Sequence, residues 1–181
     1  MKTESDMARA AAGDHVAFRR VVEAHQGRIF AYLGRMGLDG ATAEDIAQET
    51  FLRLWRHARE FDAKRARLAT WILTIARNLA LTHLTRPARR FEVMDGADPP
   101  DVACDEPRPD EALADKQRRV RLLAALERLA PADRSLLAAS YFADLDLAEI
   151  ARVEGCSPGA AKVRLHRARE RLRKIWEDGG G

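Results

Sequence analysis

Apolar residues recur at helical spacings along most of the chain. Between His15 and Met36, the residues Phe18, Val21, Val22, Ile29, Phe30 and Leu33 follow a helical repeat, and the stretch from Gly37 to Gly40 interrupts it. A second pattern puts Ile46, Ala47, Thr50, Phe51, Leu54 and Ala58 on one face, with Thr42 and Asp45 spaced as a capping box at its start. A third runs from Thr70 to Leu84, turns Trp71, Ile72, Ile75 and Leu79 inward, and stops ahead of Pro87. Further on, Val120, Leu123, Leu126 and Leu129 mark a helix predicted over Asp110 to Leu129, and Pro131 opens another that ends near Phe142. Asp146 and Glu149 cap a short helix, LAEIARVE. Gly155 breaks it, Ser157 is a good N-cap, and Pro158 fits the first helical position, where its missing N–H costs nothing. No segment sustains period-two alternation, so an all-α fold is expected.

Charge changes the picture from one domain to two. The chain has 181 residues and a net charge of +3. From Phe91 to Asp115 it carries nine acids against one base, Arg108, a local net of −8, so the remainder carries +11. The same stretch holds Pro99, Pro100, Pro107 and Pro109 and almost no apolar periodicity, the composition of an extended tether. We therefore expect two small helical domains, residues 10–87 and 110–177, joined by an acidic linker at 88–109. Two basic pieces flanking an acidic one point to a polyanionic partner such as nucleic acid.

Several function classes drop out. No apolar run approaches the roughly 20 residues of a membrane helix, and MKTESDMARAAAGDH lacks the apolar centre of a signal peptide, so a cytoplasmic protein without membrane insertion is expected. Cys104 and Cys156 lie far apart, without metal-ligand spacing, which suits a reducing compartment. His15, His25 and His57 form no HExxH or His/Asp cluster, and there is no Gly-rich phosphate loop. Neither an enzyme, a metal nor a cofactor is expected.

The C-terminal pattern carries positive information. A capped helix, a Gly-containing turn and a helix with seven Lys or Arg residues against one acid, Glu170, form a helix-turn-helix. In such a unit the second helix lies in the major groove. Lys162, Val163, His166 and Arg167 occupy its groove-facing side, by i, i+1, i+4 and i+5 spacing. Arg164, Arg169, Arg171 and Arg173 are candidates for phosphates or for neighbouring acids. His166 is open to three readings: base contact, phosphate contact or pH-sensitive group. A helix-turn-helix alone also fits a stand-alone transcription regulator, and an inhibitor or adaptor that binds polymerase without DNA is a further alternative, against which the Arg-rich helix argues.

Two longer blocks decide among these. AEDIAQETFLRLWRHAREFD, followed by ATWILTIARNLALTHL, closely resembles conserved region 2 of bacterial sigma factors. LERLAPADRSLLAASYFADLDLAEIARVEGCSPGAAKVRLHRARERL resembles region 4. Both blocks, in this order and in so short a chain, resemble a sigma factor of the extracytoplasmic-function type. The resemblance implies a dissociable promoter-recognition subunit of core RNA polymerase, often held by a cognate anti-sigma factor. It implies that Asp45, Gln48, Glu49, Phe51 and Trp55 form the polymerase-binding surface, although Phe51 is equally suited to plain core. It implies that the loop from Phe61 to Thr70 and the helix after it engage the -10 element through Lys64, Arg65, Arg67, Arg77, Asn78 and His83, with Arg86 able to join them. Trp71 suits base stacking, but an aromatic at helical spacing is more often core, and that reading is preferred. The helix from Ser157, with Lys162, Val163, Arg164, His166, Arg167 and Arg169, is implied to read the -35 element. Many relatives read GTVKSRLHRAR where this chain has GAAKVRLHRAR. Ala161 and Val163 depart from that pattern, so the binding mode carries over while the -35 sequence does not. The linker is implied to thread the polymerase cleft, although a solvated tether explains it as well.

Overall fold

A computed structural model describes residues 2–86, 118, 120–142 and 145–179. The helices are α1 (Lys2–Ala11), α2 (His15–Arg35), α3 (Gly40–Arg56), α4 (Leu68–Leu84), α5 (120–127), α6 (Pro131–Phe142), α7 (Leu147–Val153) and α8 (Pro158–Asp178), with a 3-10 turn at Ala58–Glu60 after α3. The described residues contain no strand, as the periodicity required. The linker at 88–109, Cys104 and the first residues of the helix expected from Asp110 lie outside the described residues.

Local chemistry sets the helix starts. Asp14 caps α2 by accepting a hydrogen bond from the Ala17 N–H at 2.9 Å. The α3 cap corrects the sequence reading: Asp39, and not Thr42, is the N-cap. Its carboxylate accepts from both the Thr42 N–H and the Thr42 hydroxyl, each at 2.8 Å, so Thr42 sits inside the first turn. The left-handed Gly37, with φ of 75°, reverses the chain just before it. Helix α4 starts at Leu68, two residues ahead of the predicted Thr70, without a side-chain cap. The expected capping box of α7 forms in full, with Asp146 and Glu149 each bonding the other's backbone N–H.

Helix α1 has no counterpart in the sequence reading. It offers the core Met7, Ala10 and the half-buried Ala11, too little periodic signal to predict a helix. Tertiary contacts order it: Arg20 of α2 donates to the buried Asp6 carboxylate at 3.0 and 3.2 Å, and Arg59 donates to the Ala11 carbonyl at 3.3 Å.

The two helical groups share one core. Helices α2, α3 and α4 pack around Val21, Ile29, Leu33, Leu54, Leu68 and Ile72, and that cluster continues into Leu136, Leu137, Ile150 and Val153 of α6 and α7. Helix α2 packs on α6, and α4 packs on both α6 and α7. Val120, read from its spacing as a core position, is 58% exposed, whereas Leu126 and Leu129 are buried.

One buried group ties stability to pH. His25 on α2 is buried, and its Nε2 has no hydrogen-bond partner. Burial, reinforced by the nearby charge of Arg28, holds its pKa below the ordinary 6.5. As pH falls through 6.5 the unfolded chain therefore takes up this proton first, and stability is lost until pH passes the lower folded value. His25→Leu is expected to narrow the difference in urea midpoint between about pH 7.5 and about pH 5. An unchanged pH dependence would contradict this assignment.

Candidate nucleic-acid interface

Helix α8 presents two faces. Ala161, Leu165 and Ala168 are buried against the body, with Leu172 and Ile175 packed beside them. On the outside, Lys162, Val163, His166 and Arg167 are all exposed, Val163 by 50%. These are the four residues whose spacing put them on a groove-facing side. Full burial of Ala161 accounts for a small residue at that position. Ser157 is spent on structure, its hydroxyl capping the helix by accepting from the Ala160 N–H at 3.2 Å. His166 Nε2 lies 3.6 Å from the Glu170 carboxylate, an ion pair only when the imidazole is protonated.

The other α8 arginines lean on neighbours. Arg169 lies 5.3 Å from the centre of the Tyr141 ring, Arg171 pairs with Asp133 at 2.6 Å, and Arg173 pairs with Glu177 at 2.9 Å. Arg164 turns inward to Glu154 at 3.3 Å.

The loop before α4 supplies a second basic edge. Asp62 accepts from the Lys64 N–H at 2.9 Å, a tight turn that leaves Lys64 and Arg65 exposed. Phe61 and Trp71 stack with ring centres 5.4 Å apart, fastening the loop to the helix. Trp71 is partly buried and packs against the core, in keeping with the preferred reading. Asn78 is exposed and its carbonyl accepts from Arg77 Nη1 at 3.2 Å. His83 is only partly exposed.

The acidic face of α3 is open at Asp45 and Gln48, and Glu49 pairs with Arg53 at 2.6 Å. That pair relieves the repulsion between Asp45 and Glu49 within the helix itself. Phe51 is 9% exposed and belongs to the core, so α3 turns its acids outward because this ring anchors the opposite side. Trp55 is wedged between His15 and Phe18, at ring distances of 4.7 and 4.9 Å.

Sequence reasoning missed the seam between the helical groups. Glu154, at the C-cap of α7, is fully buried and receives a two-pronged hydrogen bond from Arg77 of α4, at 3.0 and 2.8 Å. The Ser135 hydroxyl donates to the same carboxylate at 2.7 Å. With its one proton committed there, Ser135 accepts from the Tyr32 hydroxyl at 2.9 Å. Burial raises the Tyr32 pKa far above the usual phenol range, so Tyr32 stays a donor. One α7 turn earlier, Glu149 accepts from Thr70 at 3.0 Å and Arg67 at 3.3 Å. The sequence did carry a signal for Glu154: an acid at a helix C-terminus opposes the macrodipole and needs a cation nearby.

An apolar trough of about 630 Å³ opens between α5, α6 and α8, lined by Leu126, Leu137 and Leu172 and edged by Arg35, Arg169 and Arg173. Arg134 is buried with its Nε unpaired. No described helix is long and apolar enough to cross a membrane.

Residues 21–90 match the family model of sigma-70 region 2, and residues 119–172 match that of sigma-70 region 4. The chain is 34% identical to the ECF RNA polymerase sigma factor RpoE of Cereibacter sphaeroides, over 89% of this chain and 87% of that one. It is 34% identical to the RNA polymerase sigma factor CarQ of Myxococcus xanthus, over 90% and 91%. With the ECF sigma factor BldN of Streptomyces coelicolor it shares 33% identity over 94% of this chain but 64% of that longer one. Its fold matches CnrH, solved in complex with the cytosolic domain of CnrY, at a TM-score of 0.75, 21% identity and full coverage of both chains. It also matches the sigma factor RpoE of Bartonella quintana, solved in complex with the anti-sigma factor NepR, at a TM-score of 0.65 and 22% identity, over 88% of this chain and 96% of that one.

The α8 cap gives a direct check on how the helix is set. Ser157→Ala is expected to lower stability by about 1 kcal/mol in urea denaturation, with Ser157→Asp recovering most of it. Equal stability of the alanine and aspartate variants would show that the hydroxyl does not hold the first turn.

Proposed function

Because the chain belongs to the extracytoplasmic-function sigma factors of the sigma-70 family, a family of transcription initiation factors and not enzymes, we propose a specific division of labour along it. Residues 10–87 form the unit that docks on core RNA polymerase and engages the -10 element, 88–109 the tether, and 110–177 the unit that reads the -35 element. The observation that carries this reading is the exposed quartet Lys162, Val163, His166 and Arg167 on α8, standing behind a fully capped α7. A major groove accepts such a face directly: the cations meet acceptors on base edges or phosphates, and the Val163 methyls suit a thymine methyl.

On the other unit, exposed Lys64 and Arg65 supply phosphate contacts and Asn78 an amide for an unstacked base. Arg67, Arg77, Arg164 and Arg169 join them only after exchanging their present partners for DNA. Ser157 positions the reading helix through its cap, and His83 supports the α4 surface from a half-buried site. Asp45, Gln48 and Glu49 meet a basic surface of the polymerase, with Phe51 and Trp55 fixing the helix that displays them. The protein acts where the polymerase is, in the cytoplasm.

A cognate anti-sigma factor is the other partner we propose. Two fold neighbours were solved with regulatory partners, one of them named an anti-sigma factor. The trough between α5, α6 and α8 suits an amphipathic helix with acidic flanks, because its floor is apolar and its rim is arginine.

Two experiments test the reading. The purified chain is expected to be captured by core bacterial RNA polymerase, and the charge reversals Asp45→Lys and Glu49→Lys together are expected to abolish capture while the chain stays helical. Lys162→Ala with Arg167→Ala is expected to weaken duplex binding by about tenfold and to lower the salt slope by up to about 2. A chain that binds specific DNA tightly and never binds core polymerase would contradict the sigma assignment and leave a stand-alone regulator.

A further inference from the structure

Helix α1 carries none of the side chains assigned above to polymerase or DNA, yet it is fastened at three points. Arg20 of α2 grips the buried Asp6 carboxylate through two donors, at 3.0 and 3.2 Å, and the neighbouring Met7 is fully buried. Arg9 pairs at 2.6 Å with Asp14, the carboxylate that also caps α2. Arg59 reaches back from the 3-10 turn, its Nε donating to the Ala11 carbonyl at 3.3 Å. Ala11 ends α1, so its carbonyl has no partner further along the helix, and the negative end of the helix dipole favours a cation there.

What α1 holds is the root of the loop that leads into α4. The 3-10 turn packs on α1, and its Ala58 is buried. His57 and Glu60 close that turn, ring Nδ1 to carboxylate, at 2.8 Å. The Phe61 N–H donates to the Ala58 carbonyl at 3.3 Å, and the Phe61 ring stacks on Trp71 of α4. Beyond Phe61 the loop folds on itself. Asp62 accepts from the Lys64 N–H through its carboxylate at 2.9 Å and from the Arg65 N–H through its carbonyl at 3.0 Å. A turn closed by its own hydrogen bonds moves as a body, so its direction is set where it is rooted: at the 3-10 turn on one side and at Trp71 on the other.

We propose that α1 is a positioning element for the -10 contact: Arg59, bonded to the end of α1, fixes the root of the loop and with it the place where the exposed Lys64 and Arg65 meet phosphates of the opened strand. This rests on the sigma reading above and gives a role to a helix outside every assigned surface. A loop fixed before DNA arrives loses less freedom on binding than one that DNA must order. The Asp6–Arg20 pair acts one step further back, by holding α1 on α2. Neither Arg59 nor Asp6 needs to touch the DNA for this; both act through the loop.

The test uses the full chain in two settings. For the free chain, Cys104 and Cys156 are replaced by serine, and a dye is placed on a cysteine introduced at the exposed loop position Ala63 or, as a control, at the exposed Glu44 of α3. Arg59→Met, which keeps the stem and removes the donor, is expected to lower dye anisotropy at position 63 and leave it unchanged at position 44. For the holoenzyme with core RNA polymerase, strand opening is read by permanganate oxidation of unpaired thymines on genomic fragments that the unsubstituted chain transcribes. Arg59→Met without dye is expected to reduce opening by about fivefold, the worth of one hydrogen bond, while capture by core polymerase and affinity for closed duplex stay unchanged. Arg59→Lys, which returns a cation to the Ala11 carbonyl, is expected to recover most of both readouts. Asp6→Asn leaves every cation of the loop in place and is expected to shift both readouts in the same direction as Arg59→Met, which separates positioning by α1 from direct contact of Arg59 with DNA. Unchanged anisotropy at position 63 or unchanged opening in Arg59→Met, or opening lowered by Arg59→Met and not by Asp6→Asn, would overturn the proposal. A chain that opens no promoter fragment with core polymerase would remove the sigma reading instead, while the anisotropy would still decide whether α1 fixes the loop.

Discussion

A carboxylate with no access to solvent, Glu154, must find partners inside the protein, and that requirement ties the two halves of this chain together. An isolated ionised carboxylate would cost several kcal/mol to bury. Arg77, Ser135 and Arg164 meet it from three helices, and Tyr32 backs Ser135 from a fourth. No one helical group could satisfy it alone, since Arg77 and Tyr32 come from the N-terminal half and Ser135 and Arg164 from the C-terminal half. Around this polar centre the seam is apolar, and the core runs from Leu33 and Ile72 to Leu137 and Val153 without a break.

The functional surfaces are arranged around that seam. Helix α3 shows acids outward because Phe51, Leu54 and Ile46 fix its inner side. Helix α8 shows Lys162, Val163, His166 and Arg167 outward because Ala161, Leu165 and Ala168 fix its inner side. What the seam withholds is the middle: the cations of α4 and the inward edge of α8. Lys162 and Arg167 are exposed, whereas Arg77 and Arg164 are already engaged by a buried carboxylate. The same charge arrangement that attracts a polyanion has found internal carboxylates.

Much of this was legible in the sequence, and the reasons for the remainder are physical. Helical periodicity and cap chemistry give α2, α7 and α8 closely, because their caps, Asp146 and Ser157 among them, sit next to clear breaks at Gly37 and Gly155. Spacing sets the α3 cap three residues late because Thr42 looks like a cap; in the molecule its hydroxyl serves Asp39. Helix α1 was absent from the reading because its order comes from Arg20 and Arg59, far along the chain. The outward quartet of α8 followed from spacing, since a helix face is a local property. The seam did not follow, because pairing of Arg77 with Glu154 depends on which helices touch, and no periodicity encodes that. The misplaced charge of Glu154 at a helix C-terminus was the one local hint.

The account stands on Arg77 and Glu154 being an energetically coupled buried pair, and a double-mutant cycle in urea denaturation measures this directly. Arg77→Met and Glu154→Met are each expected to destabilise the chain by about 3 kcal/mol, because each leaves the other's charge buried and short of partners. The double variant should fall short of the summed losses by about 2 kcal/mol or more, since it removes both charges together. Additivity within about 0.5 kcal/mol would contradict the account, for it would mean that the two side chains do not hold the halves together.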